Sequence, residues 1–122
     1  MKNYDLFIKK FMDSWKNLEG VKTCELMAEN LEGYYETPLD KPLTKKNEVK
    51  SLWEVVPSNQ KDITYTYDIL LEDSNHCLFH FTMTRTMVAS GKIQNIDGIC
   101  EIKLDENNLL TFFKQWRFTK ES

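Results

Sequence analysis

MVASGKIQNIDGICEIKLDENNLLTFFKQWRF, Met87 to Phe118, reads as two long antiparallel strands, Ile93–Leu104 and Leu109–Phe118, joined by the polar turn Asp105-Glu106-Asn107-Asn108. Just before them Ser90-Gly91 marks a second turn, where Gly91 supplies the positive φ that a tight hairpin needs. Side chains on a strand alternate between faces, so apolar rows name the face that turns to a core. Cys100, Ile102 and Leu104 form one such row; Leu110, Phe112, Trp116 and Phe118 form another, interrupted by Lys114.

The same period of two extends upstream. From Lys61, Ile63, Tyr65, Tyr67, Ile69 and Leu71 alternate with Asp62, Thr64, Thr66 and Asp68. After a turn at Ser74-Asn75, Cys77, Phe79, Phe81, Met83 and Met87 alternate with His76, His80, Thr82, Thr84 and Thr86. Two such runs side by side predict an antiparallel meander with one apolar and one threonine-rich face.

The first half reads as helices. Phe7, Ile8, Phe11, Trp15 and Leu18 recur at helical spacing over residues 4–18, with Asn3 as cap and Gly20 as terminator. Thr23 caps a second, short helix from Cys24 to Asn30. Gly33 through Pro38 and Pro42 predict a short strand running into a loop, with Pro38 favouring an edge. Thr44 then caps a helix to about Val55, with Val49, Leu52, Trp53 and Val56 as its stripe and Pro57 as its stop. Helices first and antiparallel strands last define an α+β fold, with the helices packed on one concave face of the sheet.

Composition bounds the rest. A chain of 122 residues, 41% hydrophobic and 12% aromatic, supports one domain over residues 1–122 with a single core. No apolar run is long enough for a membrane span, and charges at Asp5, Lys9, Lys10 and Asp13 interrupt any signal-peptide core. Cys24, Cys77 and Cys100 lack metal or disulfide spacing, which fits free thiols and a cytoplasmic location. Net charge is -3 with scattered lysines, so a nucleic-acid footprint is not expected. His76 and His80 share the polar face, but four residues along a strand separate them by about 13 Å, too far for one metal ion.

Two segments carry a further signal: Tyr34-Tyr35-Glu36-Thr37-Pro38, followed by Pro42 and the helix to Trp53, and the run from Met87 through Ser90-Gly91-Lys92, Ile96-Asp97 and Leu104-Asp105-Glu106 to Trp116. In element order and in these motifs the chain resembles the nuclear transport factor 2-like superfamily, in its SnoaL-like and ketosteroid-isomerase-like branches. The resemblance implies a cone of curved sheet (a cystatin-like α+β barrel) wrapped around the helices, a ligand cavity between them, and a homodimer through the outer sheet face. It implies a catalytic carboxylate at Glu36, which would move a proton beside a carbonyl, and a protonated oxyanion donor at Asp97. Strand alternation alone puts Asp97 on the polar face; a bulge at Gly98 would turn it inward. The oxyanion tyrosine that such isomerases carry on the first helix is missing, Phe11 and Met12 standing there, which disfavours a steroid isomerase. Tyr65 or Tyr67 can stand in.

Trp15, Tyr34, Trp53 and Trp116 are the expected aromatic border of the cavity. Arg85 falls on the apolar row of its strand, where a buried charge needs an anionic partner. That partner is Glu36, Asp97 or a ligand carboxylate, unless the guanidinium reaches water at the strand end. The sequence thus supports a cofactor-free domain binding a small apolar molecule, with proton-transfer chemistry in prospect. The competing reading is a non-catalytic dimer built on the threonine-rich outer face, with Phe113, Gln115 and Arg117 on that surface.

Overall fold

Ten elements follow one another in the computed structural model, which describes residues 2–122: α1 (Tyr4–Lys16), α2 (Gly20–Glu25), β1 (Asn30–Tyr35), β2 (Leu43–Lys45), α3 (Lys46–Glu54), α4 (Val56–Asn59), β3 (Gln60–Glu72), β4 (Cys77–Met87), β5 (Ile93–Leu104) and β6 (Leu110–Glu121). No helix among the described residues is long and apolar enough to cross a membrane. Asn3 caps α1 as expected, its side chain accepting from the Leu6 N–H at 3.0 Å. Leu18, at φ 59°, turns the chain out of the helix. Gly20 begins α2 instead of ending α1, and only glycine fits there, because a Cβ would sit 2.5 Å from the Trp53 carbonyl oxygen of α3. Thr23, expected as a cap, is inside α2 and buried, its hydroxyl 2.7 Å from that of Ser14. Residues 43–45 add an edge strand before α3, and Glu48 accepts from the Thr44 and Lys45 N–H groups at the helix start.

The sheet is open, in the order β2-β1-β6-β5-β4-β3, and curved around the helices. β1 is therefore not the edge that Pro38 suggested: it pairs with β2 on one side and, in parallel, with β6 on the other. Pro38 lies past the end of the strand. Cys77, Phe79, Phe81 and Met83 of β4 and Ile96, Cys100, Ile102 and Leu104 of β5 are buried in one core with the apolar side chains of α1, as the alternation predicted.

β6 departs from that prediction. Lys103 faces Phe112 and Leu104 faces Leu110, so Thr111 is an extra residue. One inserted residue reverses which side chains face inward along everything that follows. Leu110 is buried, but beyond the bulge Phe113 and Gln115 turn to the core while Phe112, Trp116 and Phe118 face out. Phe113, Gln115 and Arg117 are thus on the inner face, not on the outer surface where simple alternation put them.

No such shift occurs near Gly98. The β4–β5 register runs unbroken from Cys77↔Ile102 to Thr86↔Ile93, with Phe81 opposite Gly98 and Thr82 opposite Asp97. Gly98 is required for space: a Cβ there would lie 2.7 Å from the Phe81 ring and 2.8 Å from the Trp116 carbonyl oxygen. The ring can swing, but the carbonyl is fixed in the β5–β6 ladder. Gly98→Ala is expected to destabilise the chain by roughly 1–3 kcal/mol, the usual cost of overpacking. Urea denaturation checks this, and an unchanged midpoint would show that the strands yield.

Candidate functional site

Between α1, α3, α4 and the inner face of the sheet lies a cavity of about 220 Å³. Its wall is aromatic because four elements each turn an apolar side chain to the same point. Phe11 and Trp15 come from α1, Trp53 from α3, Tyr34 from β1 and Phe113 from β6. Tyr34 and Phe113 stack at 4.6 Å between ring centroids; Phe11 meets Trp53 edge-on at 5.6 Å and Trp15 meets Trp53 at 5.5 Å. Such pairings favour one geometry over others, which makes the wall stiff. The Trp53 indole N–H donates to the Tyr34 hydroxyl at 3.1 Å, and that of Trp15 to Gln60 Oε1 at 3.0 Å.

One side of the cavity is polar. Glu36, just past the end of β1, accepts through Oε1 from Arg117 Nη1 at 3.0 Å, while its backbone carbonyl accepts from Gln115 Nε2 at 3.0 Å. Both bonds exist because the Thr111 bulge turned these β6 side chains inward. Glu36 is the only carboxylate among the lining residues, and its Oε2 has no partner among the described residues. Two further oxygens, Gln115 Oε1 and Asn59 Oδ1, are buried without a hydrogen-bond partner. Arg85, at 8% exposure, also lines the cavity, and only its Nε is engaged, donating to Gln94 Oε1 at 2.8 Å.

Burial pushes the Tyr34 phenol well above its ordinary range, and the charge of Glu36 adds to it. Tyr34 is therefore a permanent O–H donor beside the carboxylate. Burial also lowers the Arg85 guanidinium; neighbouring Arg117 adds to this, and Glu36 opposes it.

Of the residues singled out from the sequence, Glu36, Trp15, Tyr34, Trp53 and Arg85 converge on this cavity. Tyr65 and Tyr67 do not line it; they hold α1 onto β3 by hydrogen bonds to Asp13 and Asp5. Trp116 is on the outer face, where Lys114 lies over its ring. Asp97 is also outside, bonded to His80 Nε2 at 2.9 Å, so it does not meet Glu36 across the cavity. Arg117, Gln115, Gln60 and Asn59 were missed. The adjacent pair Phe112-Phe113 was the available signal, since it offers either face an aromatic residue and leaves the parity of β6 open.

His80 sits between two carboxylates, Asp97 at Nε2 and Asp68 at Nδ1, 3.2 Å away. An imidazolium can donate to both at once, whereas a neutral ring has one N–H. The bond to Asp97, then that to Asp68, raises the His80 pKa. A raised folded-state pKa stabilises the fold fully below the unfolded histidine value of about 6.5, and the effect is lost as pH rises through the folded value. The melting-point advantage of the native chain over His80→Gln should therefore shrink as pH rises from about 6 to about 9. A constant difference would count against a charged His80.

A second hollow, about 510 Å³ and wide open, lies on the outer face among Thr64, Thr66, Thr82 and Thr84. Its threonine hydroxyls already pair with one another across the strands. The smaller inner cavity holds the unpaired polar groups, and it is the candidate site.

No protein-family model matches this chain, and no curated protein matches it in sequence. Solved structures do match in shape. The epoxide hydrolase/cyclase-like enzyme SalBIII, of pyran ring formation in the polyether salinomycin, superposes with a TM-score of 0.80 at 7% identity, over 93% of this chain and 89% of that one. A ketosteroid isomerase-like protein from Erwinia carotovora atroseptica matches with a TM-score of 0.70 at 9% identity, covering 94% and 92%. An NTF2-like protein from Burkholderia xenovorans matches at 0.69 and 14% identity, covering 93% and 87%. The chain has the nuclear transport factor 2-like fold, the α+β architecture of SnoaL-like and ketosteroid isomerase-like proteins.

Proposed function

We propose that this chain binds a small, largely apolar molecule in the inner cavity and moves a proton on it without a cofactor. The observation that carries the reading is the conjunction, in one aromatic chamber, of the free Glu36 Oε2 with the buried oxygens Gln115 Oε1 and Asn59 Oδ1. A buried polar atom left unpaired costs about 1–3 kcal/mol, so such atoms gather where something else completes them. A volume near 220 Å³ falls below the roughly 300 Å³ at which drug-sized pockets begin. The ligand is accordingly a one-ring or short-chain molecule, smaller than a steroid. Within it, Glu36 Oε2 is the group placed to take a proton and the Tyr34 hydroxyl the group placed to donate a hydrogen bond to a developing oxyanion. That chemistry covers isomerisation, cyclisation or dehydration. SalBIII and the ketosteroid isomerase-like protein, both of this fold, lend it support. Three buried free cysteines fit a reducing, cytoplasmic setting.

A second reading concerns the outer face. Phe118, at 84% exposure, stands there with Trp116 and Ile99, which pair across β5 and β6. This apolar patch suits a second copy of the chain, and Phe118→Asp should shift sedimentation from dimer to monomer. A native chain that sediments at 14.5 kDa in micromolar solution would end that reading.

The cavity reading is tested with monocyclic ketones in D₂O. A ketone that quenches Trp15 and Trp53 fluorescence should exchange its α-protons on the enzyme, and Glu36→Gln should slow exchange by about 10²–10⁴-fold while quenching persists. Exchange unaffected by Glu36→Gln would remove the carboxylate from the mechanism. Quenching that survives a cavity-filling Leu52→Trp would place the ligand elsewhere.

A further inference from the structure

The charges lining the cavity do not balance. Arg85 and Arg117 supply two guanidinium groups and Glu36 a single carboxylate, which Arg117 already engages. Arg85 has no carboxylate within ion-pair distance among the described residues, and its two Nη atoms make no hydrogen bond. Its neighbour Gln94, directly opposite on β5, takes only the Nε–H and is itself tied to Glu121. Arg85 is more than nine-tenths buried as a residue, but its unpaired Nη edge is not sealed from solvent; with a second arginine beside it, an incoming anion would meet open donors and a positive charge there.

Resting on the cavity being the ligand site, we infer that its ligand is a small carboxylic acid bound as the carboxylate. Its head group sits on the free edge of the Arg85 guanidinium, and its hydrocarbon body lies along Phe11, Trp15 and Trp53. The planar fork of a guanidinium matches a carboxylate with two parallel hydrogen bonds. A single negative charge also leaves the lining neutral. A phosphate monoester, carrying about -1.5 to -2, would leave negative charge in surplus within an aromatic chamber.

The test compares 3-phenylpropanoate with its neutral amide and with 2-phenylethyl phosphate, titrated into the whole chain and followed by tryptophan fluorescence and calorimetry. The carboxylate should bind about tenfold or more tightly than the amide, the margin a charge-assisted pair supplies. Arg85→Gln should bring the carboxylate-to-amide ratio close to one. Equal affinities on the native chain, a ratio unchanged by Arg85→Gln, or a preference for the phosphate would each overturn the carboxylate assignment while leaving the cavity in use. Failure of all three probes to bind at millimolar concentration would overturn the cavity reading as well. The comparison on the native chain decides the matter even if Arg85→Gln does not fold.

Discussion

Thr111 is the extra residue of β6: between Lys103↔Phe112 and Leu104↔Leu110, it spans an interval that β5 crosses without an added residue. Everything distinctive about the cavity follows from that insertion. It brings Phe113 under Tyr34, Gln115 to the Glu36 carbonyl and Arg117 to the Glu36 carboxylate. Without it the inner row would continue Phe112, Lys114, Trp116, Phe118, and the chamber would be filled by aromatic bulk. Bulges recur where a sheet must re-aim side chains at a site, and this one exchanges apolar filling for a polar end wall.

That exchange carries a cost in stability. Gln115 is 2% exposed with its side-chain oxygen unpaired, and Arg85, 8% exposed, uses only its Nε–H, leaving the four Nη–H donors without a protein partner among the described residues. Folded interiors rarely leave such groups unsatisfied, and those that do concentrate at functional places. The aromatic side offsets the cost: Phe11, Trp15, Tyr34, Trp53 and Phe113 form a linked set of edge-on, tilted and stacked ring contacts that holds the chamber in shape. A stiff apolar wall facing a polar rim of mixed charge is the arrangement that orients a small ligand by one end.

Much of this was legible in the residues. The period-two runs of β3, β4 and β5 and the helical spacing of Phe7, Phe11 and Trp15 define the layers directly. Burial of one face is what selects those patterns. Trp53 and Arg85 were also within reach, because α3 and β4 keep the period or parity their sequences announce; Glu36 came from the family resemblance, since β1 breaks strict alternation with Gly33 and Tyr34 both buried. β6 was not legible. Phe112 and Phe113 satisfy the core from either parity, and nothing local to Thr111 marks the insertion, which is set by register against β5. The same ambiguity resolved the other way at Gly98, where glycine makes room for the Phe81 ring instead of marking a bulge. Asp97 consequently belongs to the outer His80 cluster.

The parity of β6 is therefore the claim on which the functional reading stands, and aromatic nuclear Overhauser effects in solution test it most directly. The account predicts cross-peaks from the Phe113 ring to the rings of both Tyr34 and Phe11, whose centroids lie 4.6 and 5.6 Å away. None should arise from Trp116 to either ring. Cross-peaks from Phe112 or Trp116 to Phe11, with Phe113 silent, would put Gln115 and Arg117 outside and contradict it.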